Sequence, residues 1–182
     1  MSKITEINLM CDLETLGKKP GCGILSIALV PFQVGGLPAP LENFYVRIKP
    51  YSNAILGLHT DTSTMEWWNT KSEEARVEAF GGEVPISAAL SQLAEYLAGF
   101  PAGTLIWGLG ASFDIPILEA AYDAYGHSYP WNYTQSMCFR TLKVLYPQVP
   151  APAANTLKHS ALADATYQAA HAQRILEWVQ KA

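Results

Sequence analysis

Residues 10–15 read Met-Cys-Asp-Leu-Glu-Thr, and the rest of the chain is organised around them. They follow an apolar run, residues 4–10, that predicts a buried strand. Since side chains along a strand alternate between its faces, Asp12 and Glu14 point the same way, and neighbouring carboxylates repel each other. Hard divalent ions such as Mg²⁺ or Mn²⁺ prefer oxygen ligands and would relieve this repulsion. On this stretch alone, a metal site and a solvated acidic pair at a strand end are equally good interpretations.

The composition is that of a compact globular protein, and we expect a single domain over residues 1–182. Hydrophobic residues make up 49% of the chain and charged residues 15%, which excludes a disordered tail. The N-terminus lacks the apolar core of a signal peptide, and the strongest apolar stretch, residues 24–32, is too short to span a membrane. We therefore expect a soluble, cytoplasmic protein. Three cysteines without a CxxC pair favour neither a disulfide framework nor a zinc site.

The net charge of −4 disfavours an extended nucleic-acid surface, because such surfaces usually need a basic excess. An enzyme that grips only the end of a strand needs few phosphate contacts. Two divalent ions would also neutralise four site carboxylates, so part of the acidity would then belong to the site itself. The charge is therefore compatible with an enzyme that acts at a nucleic-acid terminus.

The hydrophobic pattern predicts an α/β fold in which a three-stranded antiparallel meander precedes helices that alternate with strands. The predicted strands are residues 4–10, 24–32, 43–48, 104–109 and 137–139. The predicted helices are one or two short segments within residues 62–80, broken near Asn69, followed by residues 85–99, 114–125, 140–146 and 160–180. Residues 51–57 are predicted to be irregular. Residues 147–155 contain three prolines and have the length expected of a functional loop.

Two further aspartates and one histidine stand in informative positions. Asp114 follows a predicted buried strand at the start of a helix, where capping of the helix explains an aspartate equally well. Asp164 lies near the start of the last helix, about 100° from its apolar stripe, where the helix dipole alone favours an acid. His159 precedes Asp164 by five positions, and a single histidine before a helix is more often a solvated or capping residue than a catalyst. Each of these residues, taken singly, says little.

Taken in order, the motifs resemble the DEDDh exonuclease family of the ribonuclease H-like superfamily. The matching stretches are Asp12-Leu13-Glu14-Thr15, Ala111-Ser112-Phe113-Asp114 and His159-Ser160-Ala161-Leu162-Ala163-Asp164, and they extend over nearly the whole chain. Residues 110–118 and the pair Trp67-Trp68 look most like a compact phage and bacterial branch of the family. The related tyrosine branch would need Tyr where this chain has Ser160.

The chain also departs from that branch at two positions. Ile115 stands where a polar residue such as Asn is expected, and Ala163 replaces an acid that often precedes the last aspartate. Neither position is a metal ligand in the family. The departures therefore bear on substrate preference more than on the chemistry.

The resemblance implies a ribonuclease H-like mixed sheet and a metal-dependent 3′→5′ exonuclease that releases nucleoside 5′-monophosphates from single-stranded DNA or RNA. Two Mg²⁺ or Mn²⁺ ions, roughly 4 Å apart, would be held by Asp12, Glu14, Asp114 and Asp164. Asp12 would contact both ions, Glu14 and Asp164 the ion that activates water, and Asp114 the other ion. His159 would accept the proton of the attacking water.

Substrate contacts are expected from the resemblance for Thr15 and Leu16, and from residue type for the aromatic and basic residues near the motifs. Thr15 and Leu16 would meet the terminal nucleotide through their backbone, and Phe113 or one of Trp67 and Trp68 would stack on a base. A tryptophan pair is, however, more often part of a core. Four basic residues near the motifs would contact phosphates or remain solvated surface charges: Lys18, Lys19, Arg140 and Lys158.

Two other functions compete with a general exonuclease. One is a hydrolase restricted to very short oligonucleotides, whose rate would not fall as substrates shorten to dimers. The other is a catalytically silent ribonuclease H-like binding module, against which the complete set of four acids and His159 argues, because such a module has no physical reason to keep repelling carboxylates together. The resemblance also suggests a homodimer. The sequence does not distinguish DNA from RNA as the substrate.

Overall fold

The computed structural model describes residues 7–35, 41–153 and 159–181, and a five-stranded mixed sheet lies at its centre. The strands are β1 (Ile7–Thr15), β2 (Ile24–Gln33), β3 (Phe44–Arg47), β4 (Leu105–Gly108) and β5 (Ser136–Cys138), in the order β3-β2-β1-β4-β5. β1, β2 and β3 pair antiparallel, whereas β4 pairs parallel to β1 and β5 pairs parallel to β4. The predicted α/β fold, an antiparallel meander followed by parallel strands and flanked by helices, is confirmed.

Six of the seven α-helices of the described residues follow the predicted order. They are α1 (Ser52–Ile55), α2 (Thr62–Asn69), α3 (Glu73–Phe80), α4 (Ile86–Ala98), α5 (Asp114–Tyr125), α6 (Phe139–Leu145) and α7 (Ala161–Lys181). α5 ends where predicted, because Gly126 adopts the left-handed conformation (φ 77°) that closes many helices. Pro85 is the N-cap of α4 rather than its first helical residue. None of these helices combines the length and the apolar character needed to cross a lipid bilayer.

Two predictions about local structure are wrong. Residues 51–57 were expected to be irregular, but they contain α1, which buried Asn53 ties to β2 by accepting from the Ile24 N–H (2.9 Å) and donating to the Ile24 carbonyl (3.0 Å). A contact with a strand 29 positions away leaves no local pattern in the sequence. The first strand was expected to end at Met10, but β1 continues to Thr15, so Asp12 and Glu14 lie within the strand. Residues 4–6 of the predicted strand lie outside the described residues.

The alternation along β1 separates two hydrophobic layers. Leu9, Cys11 and Leu13 pack into the layer that contains the buried faces of α4 and α5. Met10 packs on the opposite side, in the layer that contains Ala165, Ala169 and Ala172 of α7. Since Asp12 and Glu14 share the face of Met10, they point towards the side of the sheet on which α7 lies. The sheet thus brings the acids of β1 to the N-terminal end of that helix.

Candidate active site

Three carboxylates from two distant segments meet at the end of β1. Asp12 and Glu14 lie on one face of the strand, and Asp164 lies in the first turn of α7. One side-chain oxygen of each residue lies within 4.8 Å of those of the other two. Carboxylate oxygens at this spacing form the donor set that hard divalent cations such as Mg²⁺ and Mn²⁺ prefer.

Asp114, the fourth predicted acid, lies beside this group but not within it. It is the first residue of α5 and is 1% exposed. Its Oδ2 accepts a hydrogen bond from the Leu109 N–H (2.9 Å), and α5 has no side-chain cap, so the capping role considered from the sequence is not what holds it. Gly108 leaves room for this carboxylate, because a Cβ atom there would lie 3.0 Å from the same Oδ2.

Burial and mutual repulsion favour the protonated forms of these acids. Burial raises the pKa of Asp12 well above its usual range, and the charges of Asp114 and Glu14 raise it further. The pKa of Glu14 rises to about 8, mainly through burial and then through Asp164. The pKa of Asp114 rises to about 6 through burial, an effect that the Leu109 hydrogen bond opposes. Acids held together at this cost are suited to binding cations, which would restore their charged forms.

Gln168 contacts the acid cluster and was missed in the sequence analysis. It lies one turn after Asp164 on α7 and is 5% exposed. Its Nε2 donates a hydrogen bond of 2.6 Å to Oδ1 of Asp12, which opposes the rise in the pKa of that acid. Its Oε1 is buried and has no hydrogen-bond partner among residues 7–35, 41–153 and 159–181. The spacing of four from Asp164 on a predicted helix was the available signal, because such residues share a face.

His159 lies at the edge of the same group. Its backbone is left-handed (φ 66°), and its N–H donates a hydrogen bond to Oδ2 of Asp164 (3.2 Å). Its imidazole packs edge-on against Trp67, with the ring centroids 4.9 Å apart. The predicted base is therefore fixed relative to a predicted metal ligand, and its ring lies against an aromatic side chain.

The tryptophan pair divides between the core and the site. Trp68 is 1% exposed, packs against Phe80, and donates its indole N–H to the Thr15 carbonyl (3.0 Å). Trp67 is 38% exposed, and Nζ of Lys71 lies 4.1 Å from the centre of its ring. The core interpretation thus describes Trp68, and Trp67 is the more accessible of the two rings.

A cavity of about 390 Å³ opens beside the acids. Its walls include Asp12, Glu14, Asp164, His159, Thr15, Lys18, Thr64, Trp67, Trp68 and Phe113. This volume is in the range of small-ligand sites. Thr15 and Phe113, two of the predicted substrate contacts, lie on its surface.

Leu16, the third predicted substrate contact, lies behind that surface. Its side chain is 5% exposed and packs with Leu25 and Trp68. Its N–H donates to the Gly23 carbonyl and its own carbonyl accepts from the Asp61 N–H, both at 2.8 Å. Both backbone groups that the resemblance assigned to the substrate are therefore engaged within the protein.

The remaining predicted cationic contacts are distributed unevenly. Lys18 lines the cavity, whereas Arg140 donates a hydrogen bond to the Leu109 carbonyl and Lys19 is a solvated surface residue. Lys158 lies outside the described residues. The three other histidines do not line the cavity: His59 lies 3.5 Å from Asp61, His127 stacks on Tyr125, and His171 is buried against Phe139.

Comparisons with known proteins identify a family and several structures with a similar fold. A family model described as the 3′-5′ exoribonuclease Rv2179c-like domain matches residues 7–176. A comparison with curated protein sequences gives no significant match.

Several solved structures share the fold. A product-bound exonuclease I aligns over 97% of this chain and 46% of its own, with a TM-score of 0.62 and 14% identity. The cell-death related nuclease CRN-4 aligns over 95% of this chain and 64% of its own, with a TM-score of 0.56 and 13% identity. The nuclease domain of 3′hExo, a DEDDh family member bound to rAMP, aligns over 97% and 93%, with a TM-score of 0.62 and 11% identity. This chain thus spans about half the length of the first and two thirds of the second.

Proposed function

The chain belongs to the family of 3′-5′ exoribonucleases that carry the Rv2179c-like domain, and on this premise we propose that it releases nucleoside 5′-monophosphates from the 3′ ends of single-stranded nucleic acid. Membership confirms the resemblance to DEDDh exonucleases drawn from the motifs, and it implies a nucleic-acid substrate and divalent metal ions. The observation that carries the proposal is the meeting of Asp12, Glu14 and Asp164 on a cavity that His159 also lines. In this proposal, residues 1–182 form a single exonuclease domain that works in the cytoplasm.

The donor set fits Mg²⁺ or Mn²⁺, since every ligand atom offered is a carboxylate oxygen. Asp12, Glu14 and Asp164 would hold one ion, and Asp12 together with Asp114 would hold a second. When bound, two such ions activate a water and stabilise the charge on the departing 3′ oxygen. The environment of the acids supports the assignment, because a bound cation would favour the charged forms that burial and then mutual repulsion disfavour, as the raised pKa values of Asp12 and Glu14 indicate.

The remaining residues of the cavity supply proton transfer and substrate contacts. His159 is proposed to accept the proton of the attacking water, since it is held next to Asp164 without belonging to the carboxylate cluster. Trp67 and Phe113 offer aromatic surfaces for a base, and Lys18 offers a charge for a phosphate. Thr15, at the end of β1, is proposed to meet the terminal nucleotide, and Leu16 is proposed to support it from behind.

The alternative functions make different demands on this site. A silent binding module gains nothing from burying repelling carboxylates, so the convergence of Asp12, Glu14 and Asp164 on one cavity supports a metal-dependent enzyme. A hydrolase restricted to short oligonucleotides would use the same cavity and differs only in its dependence on substrate length. The homodimer suggested by the family resemblance is also part of the proposal, and light scattering of the pure protein tests it.

The test is digestion of 5′-labelled single-stranded RNA and DNA of matched sequence, from dimers to long strands, with Mg²⁺, Mn²⁺ or EDTA. We expect a ladder of products that shorten from the 3′ end with either metal, and intact substrate in EDTA. A rate that persists on dimers but vanishes on long strands would select the short-oligonucleotide hydrolase. Full activity in EDTA would refute the metal-dependent mechanism.

A further inference from the structure

A buried hydroxyl on the wall of the active-site cavity lacks an internal partner. Thr64 lies on α2 and is 5% exposed, and its Oγ1 makes no hydrogen bond within the part of the chain that the structure describes. Buried polar groups in proteins are nearly always paired, because an unpaired one has given up water without replacement. Thr64 also lines the cavity that holds the acids, so its side chain lies against the space that a bound molecule would fill.

The position of Thr64 near the start of α2 explains why its hydroxyl has no partner within the helix. A helical threonine commonly donates its hydroxyl to the carbonyl four residues earlier, and Thr166 of α7 does so with the Leu162 carbonyl (2.7 Å). Thr64 is the third residue of α2, so the carbonyl four residues before it belongs to residue 60, which precedes the helix. The N-cap residue of α2, Asp61, makes no side-chain cap hydrogen bond either.

The neighbouring strand end does not satisfy the hydroxyl. Trp68, one turn after Thr64 on the same face of α2, ties this face to β1 by donating to the Thr15 carbonyl. The Thr15 hydroxyl donates to the Gly17 carbonyl (2.7 Å), and both backbone groups of Leu16 are engaged elsewhere. Among the described residues, the hydroxyl of Thr64 is thus a buried polar group beside this cavity without a hydrogen-bond partner.

The rest of this wall suggests which part of the substrate lies there. The scissile phosphate belongs at the acids, and the sugar of the terminal nucleotide is the group bonded directly to that phosphate. Thr64 faces the cavity beside the residues that follow Glu14, among the aromatic side chains of Trp67 and Trp68. A ribose hydroxyl both donates and accepts hydrogen bonds, as the threonine hydroxyl does.

We propose that Oγ1 of Thr64 hydrogen-bonds a ribose hydroxyl of the 3′-terminal nucleotide, which makes Thr64 a specificity-determining residue for the sugar. This inference rests on the proposed function. If the partner is the 2′-hydroxyl, Thr64 favours RNA ends over DNA ends. If it is the 3′-hydroxyl, Thr64 favours ends whose 3′-hydroxyl is free.

The test compares the wild type with Thr64→Val, which keeps the shape of the side chain, and with Thr62→Val at an exposed position of the same helix. Calorimetry with Mn²⁺ measures the Kd of adenosine 5′-monophosphate and of its 2′-deoxy and 3′-deoxy analogues. We expect Thr64→Val to weaken binding of the ribonucleotide about ten- to a hundredfold and to abolish the preference over one deoxy analogue. Its Tm should equal or exceed that of the wild type, because the change removes an unpaired buried hydroxyl, and Thr62→Val should bind like the wild type.

Two results would overturn the inference. One is a Thr64→Val protein with wild-type affinity for all three nucleotides. The other is an equal loss of affinity for all three, which would assign the contact to the base or the phosphate. A wild-type protein that neither binds these nucleotides nor degrades nucleic acid would instead refute the proposed function, so the two failures are distinguishable.

Discussion

Asp12 is the residue on which the carboxylate site depends. Its carboxylate lies close to those of Glu14 and Asp164, is repelled by the charge of Asp114, and accepts a hydrogen bond from Gln168. Asp12→Asn removes its charge while keeping its size, so we expect activity to be lost. Because ligands that bind only the folded state stabilise it, saturating Mn²⁺ should stabilise the wild type by about 2.7 kcal/mol at a hundredfold excess over Kd, and the variant much less. Thermal melts with and without Mn²⁺ measure this, and equal shifts in both proteins would mean that the ions bind elsewhere.

His159 should behave differently, because it is proposed as a base and not as a ligand. In His159→Ala the acid cluster remains, so the stabilisation by Mn²⁺ should be retained. The rate of nucleotide release should fall by about 10² to 10⁴, the usual contribution of a positioned general base. Single-turnover assays and thermal melts of the same protein give the two quantities. Wild-type activity would make His159 a bystander, and a lost response to Mn²⁺ would make it a ligand.

The hydrogen bond from Gln168 to Asp12 should orient this proposed metal ligand. Gln168→Met removes the hydrogen bond to Asp12 but keeps most of the side-chain volume. Groups that orient metal ligands typically change metal affinity by about 10- to 100-fold when replaced, so we expect Mn²⁺ to bind more weakly by that factor. Gln173→Met, on the same helix, removes only a hydrogen bond to Glu177 (2.9 Å) and serves as the control. Calorimetric titration with Mn²⁺ that finds equal Kd values in both variants would contradict the assignment.

At the scale of elements, the indole of Trp68 helps to hold α2 against the end of β1. Trp68→Phe keeps a ring against Phe80 but leaves the Thr15 carbonyl without its donor. The free energy of unfolding should therefore fall by about 1–3 kcal/mol. Trp67→Phe, at the exposed neighbour, should change it by less than about 1 kcal/mol while weakening nucleotide binding. Urea denaturation of the two variants tests this contrast, and a larger loss for Trp67→Phe would show that the rings have the opposite roles.

The sequence was most informative about elements whose pattern is local. The apolar run of β1 predicted a buried strand, the spacing along α7 predicted its buried face, and the three motifs predicted that Asp12, Glu14 and Asp164 meet. Contacts between distant segments left no such pattern. The end of β1 depends on its pairing with β2, in which Glu14 lies opposite Ser26, and α1 depends on the bonds of Asn53 to Ile24.

The same limit explains the residues of the site that the sequence did not reveal. In the sequence, little beyond its spacing from Asp164 distinguishes Gln168 from other polar helical residues, because its hydrogen bond to Asp12 joins segments that are far apart in the chain. Leu16 follows the acidic motif directly, but its backbone is used by Gly23 and Asp61, which hydrophobic periodicity does not identify. Residues of this kind are found only from the tertiary structure.

For the whole molecule, the acid cluster predicts an unusual dependence of stability on pH. Burial raises the pKa of Glu14 to about 8 and that of Asp114 to about 6, whereas the unfolded chain releases these protons near pH 4. Over about pH 4–8 the folded state therefore binds more protons than the unfolded state, so the free energy of unfolding should fall as the pH rises. Metal ions bind the charged acids and should remove most of this decline.

Thermal melts in EDTA and in Mn²⁺ across this pH range measure the effect. Glu14→Gln is the matched control, because it removes the acid with the raised pKa of about 8 and should flatten the decline in EDTA. A free energy of unfolding in EDTA that rises from pH 5 to pH 8 would contradict the claim that burial raises the pKa of these acids.

The central claim is that these acids and His159 remove nucleotides from a free 3′ end. Its most direct test is digestion of a 3′-labelled linear single strand mixed with a circular strand of the same sequence, in Mg²⁺ or Mn²⁺, with Asp12→Asn as the inactive control. We predict that the wild type releases the label at once as a nucleoside 5′-monophosphate, while the circle persists. Rapid cutting of the circle, or release of nucleotides from the 5′ end first, would contradict the account.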